Sequence, residues 1–218
     1  MIIAIDGPSG SGKSTLGRML ARELNLLYID TGSMYRAVAL AVMEADVDPV
    51  DTAAVAALAA RIDIDLEGAP DSLKVLLGGR DVSEEIRTEG VTAMASMVST
   101  IPGVRRAMVE RQRQMGERGA VLNGRDIGTV VFPHADLKFF LTASPEERAE
   151  RRFNEDRLTN ANVSFQQTMT EMIERDRRDS TRADSPLKIA DDAIVIDSSG
   201  LSIEQVFARM MEHVHRHN

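Results

Sequence analysis

A chain of 218 residues with 43% hydrophobic and 28% charged residues can bury the core of one domain, with room for a small inserted lobe. It has no cysteine, which excludes disulfides and thiolate metal sites and fits a reducing compartment. A net charge of −8 argues against general nucleic-acid binding, and no apolar run approaches the roughly 18 residues of a membrane span.

In chain order, Ile2 to Ile5 is a short apolar run that reads as a buried strand ending at Asp6. Gly7 to Gly12 is a turn, and Ser14 to Leu24 has helical spacing, with Leu16, Met19, Leu20 and Leu24 on one face. Leu26 to Asp30 is a second strand, followed by Thr31-Gly32-Ser33 and a buried helix over Met34 to Glu44. Asp51 to Ile62 is an alanine-rich helix. The stretch from 62 to 89 differs: IDIDLE alternates with period two, and LKVLL and RDVS flank Gly78-Gly79, the chemistry of a hairpin. Helix returns over Val91 to Arg118, broken near Pro102-Gly103. Ala120 to Asn123, Leu137 to Leu141 and Ala193 to Asp197 are the third to fifth buried strands. Helices are expected over Pro145 to Arg157, Phe165 to Arg178 and Ser202 to His215. Strands alternating with helices predict an α/β fold, a parallel sheet with helices on both faces.

The turn after the first strand carries a complete phosphate-loop pattern, Gly7-Pro8-Ser9-Gly10-Ser11-Gly12-Lys13-Ser14. Glycines let consecutive backbone N–H groups turn inward onto phosphate oxygens, and the helix that starts here adds its positive end. Lys13 reaches the β- and γ-phosphates of a bound nucleoside triphosphate, and the Ser14 hydroxyl is a ligand for Mg²⁺. The pattern follows a strand and opens a helix, as it must, but it does not by itself separate a kinase from a switch or a motor.

The arginines narrow the choice. Of 22 arginines, 14 lie between Arg105 and Arg182, where there is one lysine, Lys138; a solvated face would mix the two, and arginine is the better bidentate partner for phosphate. No N-K-x-D guanine-reading element occurs, and the fourth strand, LKFFLTAS, ends in no acid. A small-molecule kinase needs a second, arginine-rich site for a phosphate-bearing acceptor, because two anions must be neutralised before in-line attack. Arg125 and Asp126 follow the third strand at its carboxyl end, where open α/β sheets bind ligands. Asp126 either contacts the acceptor or orients Arg125.

Six separated motifs complete the reading: IDGPSGSGKST at the start, DTGSMYR at 30–36, SEEIRTEGV at 83–91, PGVRRAMVERQR at 102–113, NGRDIGTVVFP at 123–133 and ERDRRDSTRADSPL at 174–187. With these, the chain resembles the bacterial cytidylate kinases along nearly its whole length. The resemblance implies the P-loop nucleoside-monophosphate kinase fold. That is one domain over 1–218 with a five-stranded parallel sheet, an acceptor-binding insert near 62–89 and a helical lid near 145–165. It implies a cytoplasmic, monomeric enzyme that moves the γ-phosphoryl group of Mg·ATP onto CMP or dCMP.

Carried over residue by residue, the resemblance puts Asp30, Thr31, Tyr35 and Arg36 at the acceptor site, Arg36 on the CMP phosphate. Thr31 stands where the family more often has serine. Ser96, Arg105 and Arg182 match positions that read the cytosine ring. Arg125 and Asp126 lie between the substrates, and Arg175 and Asp179 near the acceptor sugar and phosphates. The donor side comprises residues 7 to 14 with Thr15, and the lid arginines Arg148, Arg151 and Arg152, of which Arg151 and Arg152 are assigned to ATP. Lys13, Arg125 and Asp126 are the expected catalytic set, and Mg²⁺ with Ser14 the expected metal. UMP or shikimate as acceptor, an ATP-gated regulator and a nucleic-acid-binding ATPase are the alternatives. His134 reads as a loop residue, His213, His215 and His217 as a solvated terminus, the methionines as core, and the acids around Pro49 as a solvated loop.

Overall fold

The computed structural model describes residues 1–157 and 163–217. Five parallel strands form the central sheet: β1 (Ile2–Asp6), β2 (Leu27–Asp30), β6 (Ala120–Gly124), β7 (Leu137–Thr142) and β8 (Ile194–Asp197), in the order β2-β6-β1-β7-β8. β1 lies in the middle, with Asp6 beside Gly124 of β6 and Phe140 of β7. This is the parallel sheet expected from the alternation of apolar runs and helical stretches.

Helices cover both faces because each strand sends alternate side chains to opposite sides. Ile3, Ile5, Val121, Phe139 and Leu141 pack with Leu16 and Leu20 of α1 (Lys13–Glu23) and with Val206, Met210 and Val214 of α8 (Ile203–His217). Ala4, Ile29 and Leu122 face the other core. That core is filled from α2 (Thr31–Glu44), α3 (Thr52–Arg61), α4 (Glu89–Val98) and α5 (Pro102–Gly116). The break between α4 and α5 falls at Pro102, as its missing N–H requires.

The insert is a three-stranded antiparallel sheet of β3 (Ile64–Glu67), β4 (Lys74–Leu77) and β5 (Arg80–Asp81). Leu77 pairs with Arg80 across Gly78 and Gly79, whose φ angles of 57° and 79° suit the two-residue hairpin turn that only glycine makes cheaply. Ile64, Val75 and Val82 join the insert to the second core.

Two local features differ from the sequence reading. α2 begins at Thr31 rather than Met34, because the Asp30 carboxylate caps it, accepting from Gly32 N at 3.0 Å and Ser33 N at 3.4 Å. After β6 the chain makes a π turn over Ile127–Val131, where no regular element was expected. α6 (Pro145–Asp156) lies within the stretch expected as the lid, near 145–165, and α7 (Phe165–Thr181) begins at its end. Residues 158–162 of that lid lie outside the described residues.

Leu122 has no exposed surface and sits where β6 meets the second core. Leu122→Ala is expected to cost about 3 kcal/mol of stability, read as a lower denaturation midpoint at unchanged slope in urea.

Candidate active site

The carboxyl ends of β1, β2 and β6 open onto one polar cleft. Its floor is the phosphate loop between β1 and α1, from Ser9 through Thr15. Gly10 and Gly12 have φ of 72° and 88°, and a Cβ on Gly10 would stand 2.6 Å from the Arg148 carbonyl oxygen, so the loop backbone lies directly on α6 there. Arg148 is buried beneath the loop, donating to Ser9 O at 3.0 Å and Ala143 O at 3.1 Å and pairing with Asp176 of α7. Asp176 also accepts from Ser9 N at 3.2 Å. Arg148 and Asp176 thus hold the loop against α6 and α7.

Lys13 is buried, its ammonium donating to Pro8 O at 2.6 Å. Burial, and then the nearby Arg125 and Arg175, push its pKa well below that of a free lysine. Arg175 is lowered to about 10, first by burial and then by Arg125. A polyanion in the cleft would relieve both penalties, so these cations are preorganised for phosphate.

On the wall expected to take the acceptor, Asp126 is the hub. Its carboxylate pairs with Arg105 at 2.5 Å and with Arg182 at 3.8 Å, all three side chains being almost wholly buried. Arg125 turns elsewhere, donating through Nε to Asp179 at 2.8 Å. Asp126 therefore orients the two arginines expected at the base, not Arg125. Burial raises the Asp179 carboxyl, but Arg125 and Arg175 outweigh it and hold the pKa below the usual range. The Arg105 guanidinium also lies 5.4 Å from the Tyr35 ring centroid, a cation–π contact that fixes the ring at the cleft wall. Arg105 Nε and one Arg182 terminal nitrogen are buried without a hydrogen-bond partner, which leaves donors for a ligand that offers ring acceptors.

Of the residues singled out from sequence, Asp30, Thr31, Tyr35, Arg36, Arg105, Arg125, Asp126, Arg152, Arg175, Asp179 and Arg182 line the same cleft as the loop. Four do not. Gly7 and Pro8 form the loop's shoulder, with Pro8 presenting its carbonyl to Lys13. Arg151 turns to the end of β8, donating to Ser198 Oγ at 3.0 Å and Ser198 O at 2.9 Å. Ser96 is displaced by helical geometry: Thr92 and Ala95 of α4, and Ser99 just after its end, are the residues at the cleft.

Asn123 was not foreseen as a site residue. Its amide nitrogen donates to Ser14 Oγ at 3.1 Å and its carbonyl accepts from Thr31 Oγ1 at 2.8 Å, so it links the loop to the acceptor wall. Its side-chain oxygen is buried with no partner. Beside the Ser14 hydroxyl, that orphaned acceptor suits a hydrated Mg²⁺, which typically keeps several waters and takes few protein ligands when phosphates share it. No cluster of three or more acidic or histidine ligands occurs among the described residues, so the protein alone does not cage an ion. Asn123 ends a strand at ordinary apolar spacing, and only the fold sets it against Ser14.

The family model for cytidylate kinase matches residues 3–216. A cytidylate kinase from Desulforamulus reducens is 53% identical over 205 residues, which is 94% of this chain and 92% of that protein. One from Geobacter sp. (strain M21) is 47% identical over 211 residues, 96% of this chain and 91% of that protein. Among solved structures, an uncharacterized protein from Eubacterium ventriosum ATCC 27560 matches with a TM-score of 0.55 at 11% identity, over 99% of this chain and 98% of that one, a likeness of fold alone. With the family model spanning nearly the whole chain and such identity over more than nine-tenths of it, this chain belongs to the cytidylate kinase family.

Proposed function

We propose that this chain transfers the γ-phosphoryl group of ATP to CMP or dCMP, by direct in-line displacement across the single cleft. The observation that carries the reading is the joining of a complete phosphate loop to the Arg105–Asp126–Arg182 cluster within that cleft. The family match supports the same activity. Shikimate carries no base for the buried Arg105 and Arg182 donors, and the family match does not favour it or UMP.

The geometry supports the following roles. Loop amides from Gly10 to Thr15 and the start of α1 hold the donor phosphates, and Lys13 neutralises them. Mg²⁺ bound to those phosphates would supply charge neutralisation; the Ser14 hydroxyl would ligate it and the Asn123 oxygen would accept from one of its waters. Arg36 and Arg125 hold the acceptor phosphate, with Asp179 orienting Arg125 through the 2.8 Å bond. Arg105 and Arg182 donate to the cytosine acceptors, and Asp126 keeps both in place and stands ready for the exocyclic amine. Arg152 and Arg175 approach the charge that develops on the transferred group. Little covalent work remains for the protein, because positioning and electrostatic stabilisation lower the barrier. Action as a monomer in the cytoplasm belongs to the same proposal; no described helix is long and apolar enough to cross a membrane.

The direct test is coupled ADP release with CMP, dCMP, UMP and AMP offered separately. Strong turnover with CMP and dCMP and weak turnover with the other two is expected; turnover with none of them contradicts the proposal. Lys13→Ala is expected to lose about 3 kcal/mol of transition-state stabilisation, on the order of 100-fold in kcat/KM. Asp126→Asn, which removes the charge shared by two buried arginines, is expected to raise KM for CMP on the order of tenfold and leave KM for ATP nearly unchanged, in steady-state assays with each substrate varied.

A further inference from the structure

Asp6 carries no role in the scheme above, yet it is a charged residue at the centre of the sheet with 4% of its surface exposed. Its two carboxylate oxygens accept separately from Ile127 N at 2.8 Å and Gly128 N at 2.7 Å, 121 and 122 residues away in sequence. Those donors open the π turn Ile127–Val131, immediately after Arg125 and Asp126. Gly128 allows the approach: a Cβ there would lie 3.1 Å from Lys138 Cδ and 3.4 Å from Asp6 Oδ2. Lys138 itself points away, its ammonium bonding Pro133 O and Asp192. Desolvation is the main force on Asp6 and lifts its pKa to about 6, against the pull of the two backbone bonds and Lys13, with Asp126 adding to the rise. Burial disfavours the charge, and the two backbone bonds to the turn are what the carboxylate gains in return.

Asp6 is the last residue of β1 and precedes Gly7, so its backbone belongs to the donor side. That backbone is held by β6 and β7 on either hand, through Gly124 and Phe140, whatever the side chain does. Both hydrogen bonds of the carboxylate run to the turn after Asp126, and toward Lys13 it acts through its charge alone. We propose that Asp6 is a positioning residue that acts through its carboxylate: it ties the turn that follows Arg125 and Asp126 to the strand that carries the phosphate loop, and so sets the acceptor-side charges at a fixed distance from the donor phosphates. The proposal rests on the reading of the cleft as joined donor and acceptor sites. An asymmetry follows. Loss of the carboxylate releases the Arg125–Asp126 segment and leaves the phosphate loop on its strand.

The test is Asp6→Asn, which keeps size and one acceptor but sets an amide NH₂ against a backbone N–H. CMP-dependent ADP release by the unaltered chain is the control, so a failure of the kinase reading itself shows there and not in the variant. In folded Asp6→Asn, kcat is expected to fall at least tenfold and KM for CMP to rise several-fold. Affinity for a fluorescent ATP analogue, titrated without acceptor, is expected to stay within about twofold. A lowered melting temperature with unchanged kcat and KM for CMP would make Asp6 a folding residue only and overturn the proposal; so would an equal loss of affinity for both nucleotides. If Asp6→Asn does not fold, Asp6→Glu keeps the charge but moves the carboxylate out by one methylene, and so disturbs the same two bonds to Ile127 N and Gly128 N. A smaller change of the same sign, in KM for CMP and not in ATP affinity, is expected there, and unaltered CMP kinetics in that variant would also overturn the proposal.

Discussion

The arrangement depends on mutual repulsion among cations crowded into one cleft. Lys13, Arg36, Arg125, Arg152 and Arg175 converge on one cleft of a chain whose net charge is −8, and the lowered pKa values of Lys13 and Arg175 record the strain of burial and like charge. Such a cluster is stable only if carboxylates are interleaved with it at fixed points. Asp126 after β6, and Asp176 and Asp179 one turn apart on α7, each engage one or more arginines, so neutralisation and geometry are the same act. The charge left over is positive and faces the cleft, where phosphate groups complete it. Catalysis by such a site is electrostatic, and its cost is met in folding rather than at the moment of reaction.

This balance explains why the cleft has two unlike halves. The phosphate loop presents backbone donors and one lysine, a surface that reads phosphate and little else. The acceptor half presents planar guanidinium groups held by a buried carboxylate, with donors left unpaired on Arg105 and Arg182. Unpaired buried donors are costly, and a ligand that lacks matching acceptors leaves the cost in place, which is a means of discrimination between acceptors. The two halves meet at Asn123, bonded to both Ser14 and Thr31, and at the Asp6 carboxylate.

Much of the fold was legible because buried parallel strands are short, nearly continuous apolar runs, and because the glycines of the phosphate loop and of Gly78-Gly79 mark turns with few alternatives. The cleft residues were legible where a motif fixes them against the backbone, as for Lys13, Ser14 and Arg125. Sequence was a poorer guide where helix phase decides: Ser96 and Ser99 are a turn apart in composition alone, and only the packing of α4 shows that Thr92, Ala95 and Ser99 face the cleft. Arg151 and Arg152 are adjacent and chemically identical, yet one meets Ser198 and the other the cleft. Asp6, Asn123 and Asp176 lie inside the quoted motifs but were not legible as site residues, because their bonds to Ile127, Ser14 and Ser9 join positions 109 or more residues apart and only the fold brings those together.

If charge stabilisation across a shared cleft is the whole of the catalysis, the phosphoryl group passes directly from donor to acceptor and no side chain carries it. The measurement that addresses this is the stereochemical course at phosphorus, with CMP as acceptor and ATP made chiral at the γ-position with oxygen isotopes. Direct in-line transfer predicts inversion of configuration in the CDP formed. Retention would require two displacements through a covalent phosphoenzyme and would contradict the account.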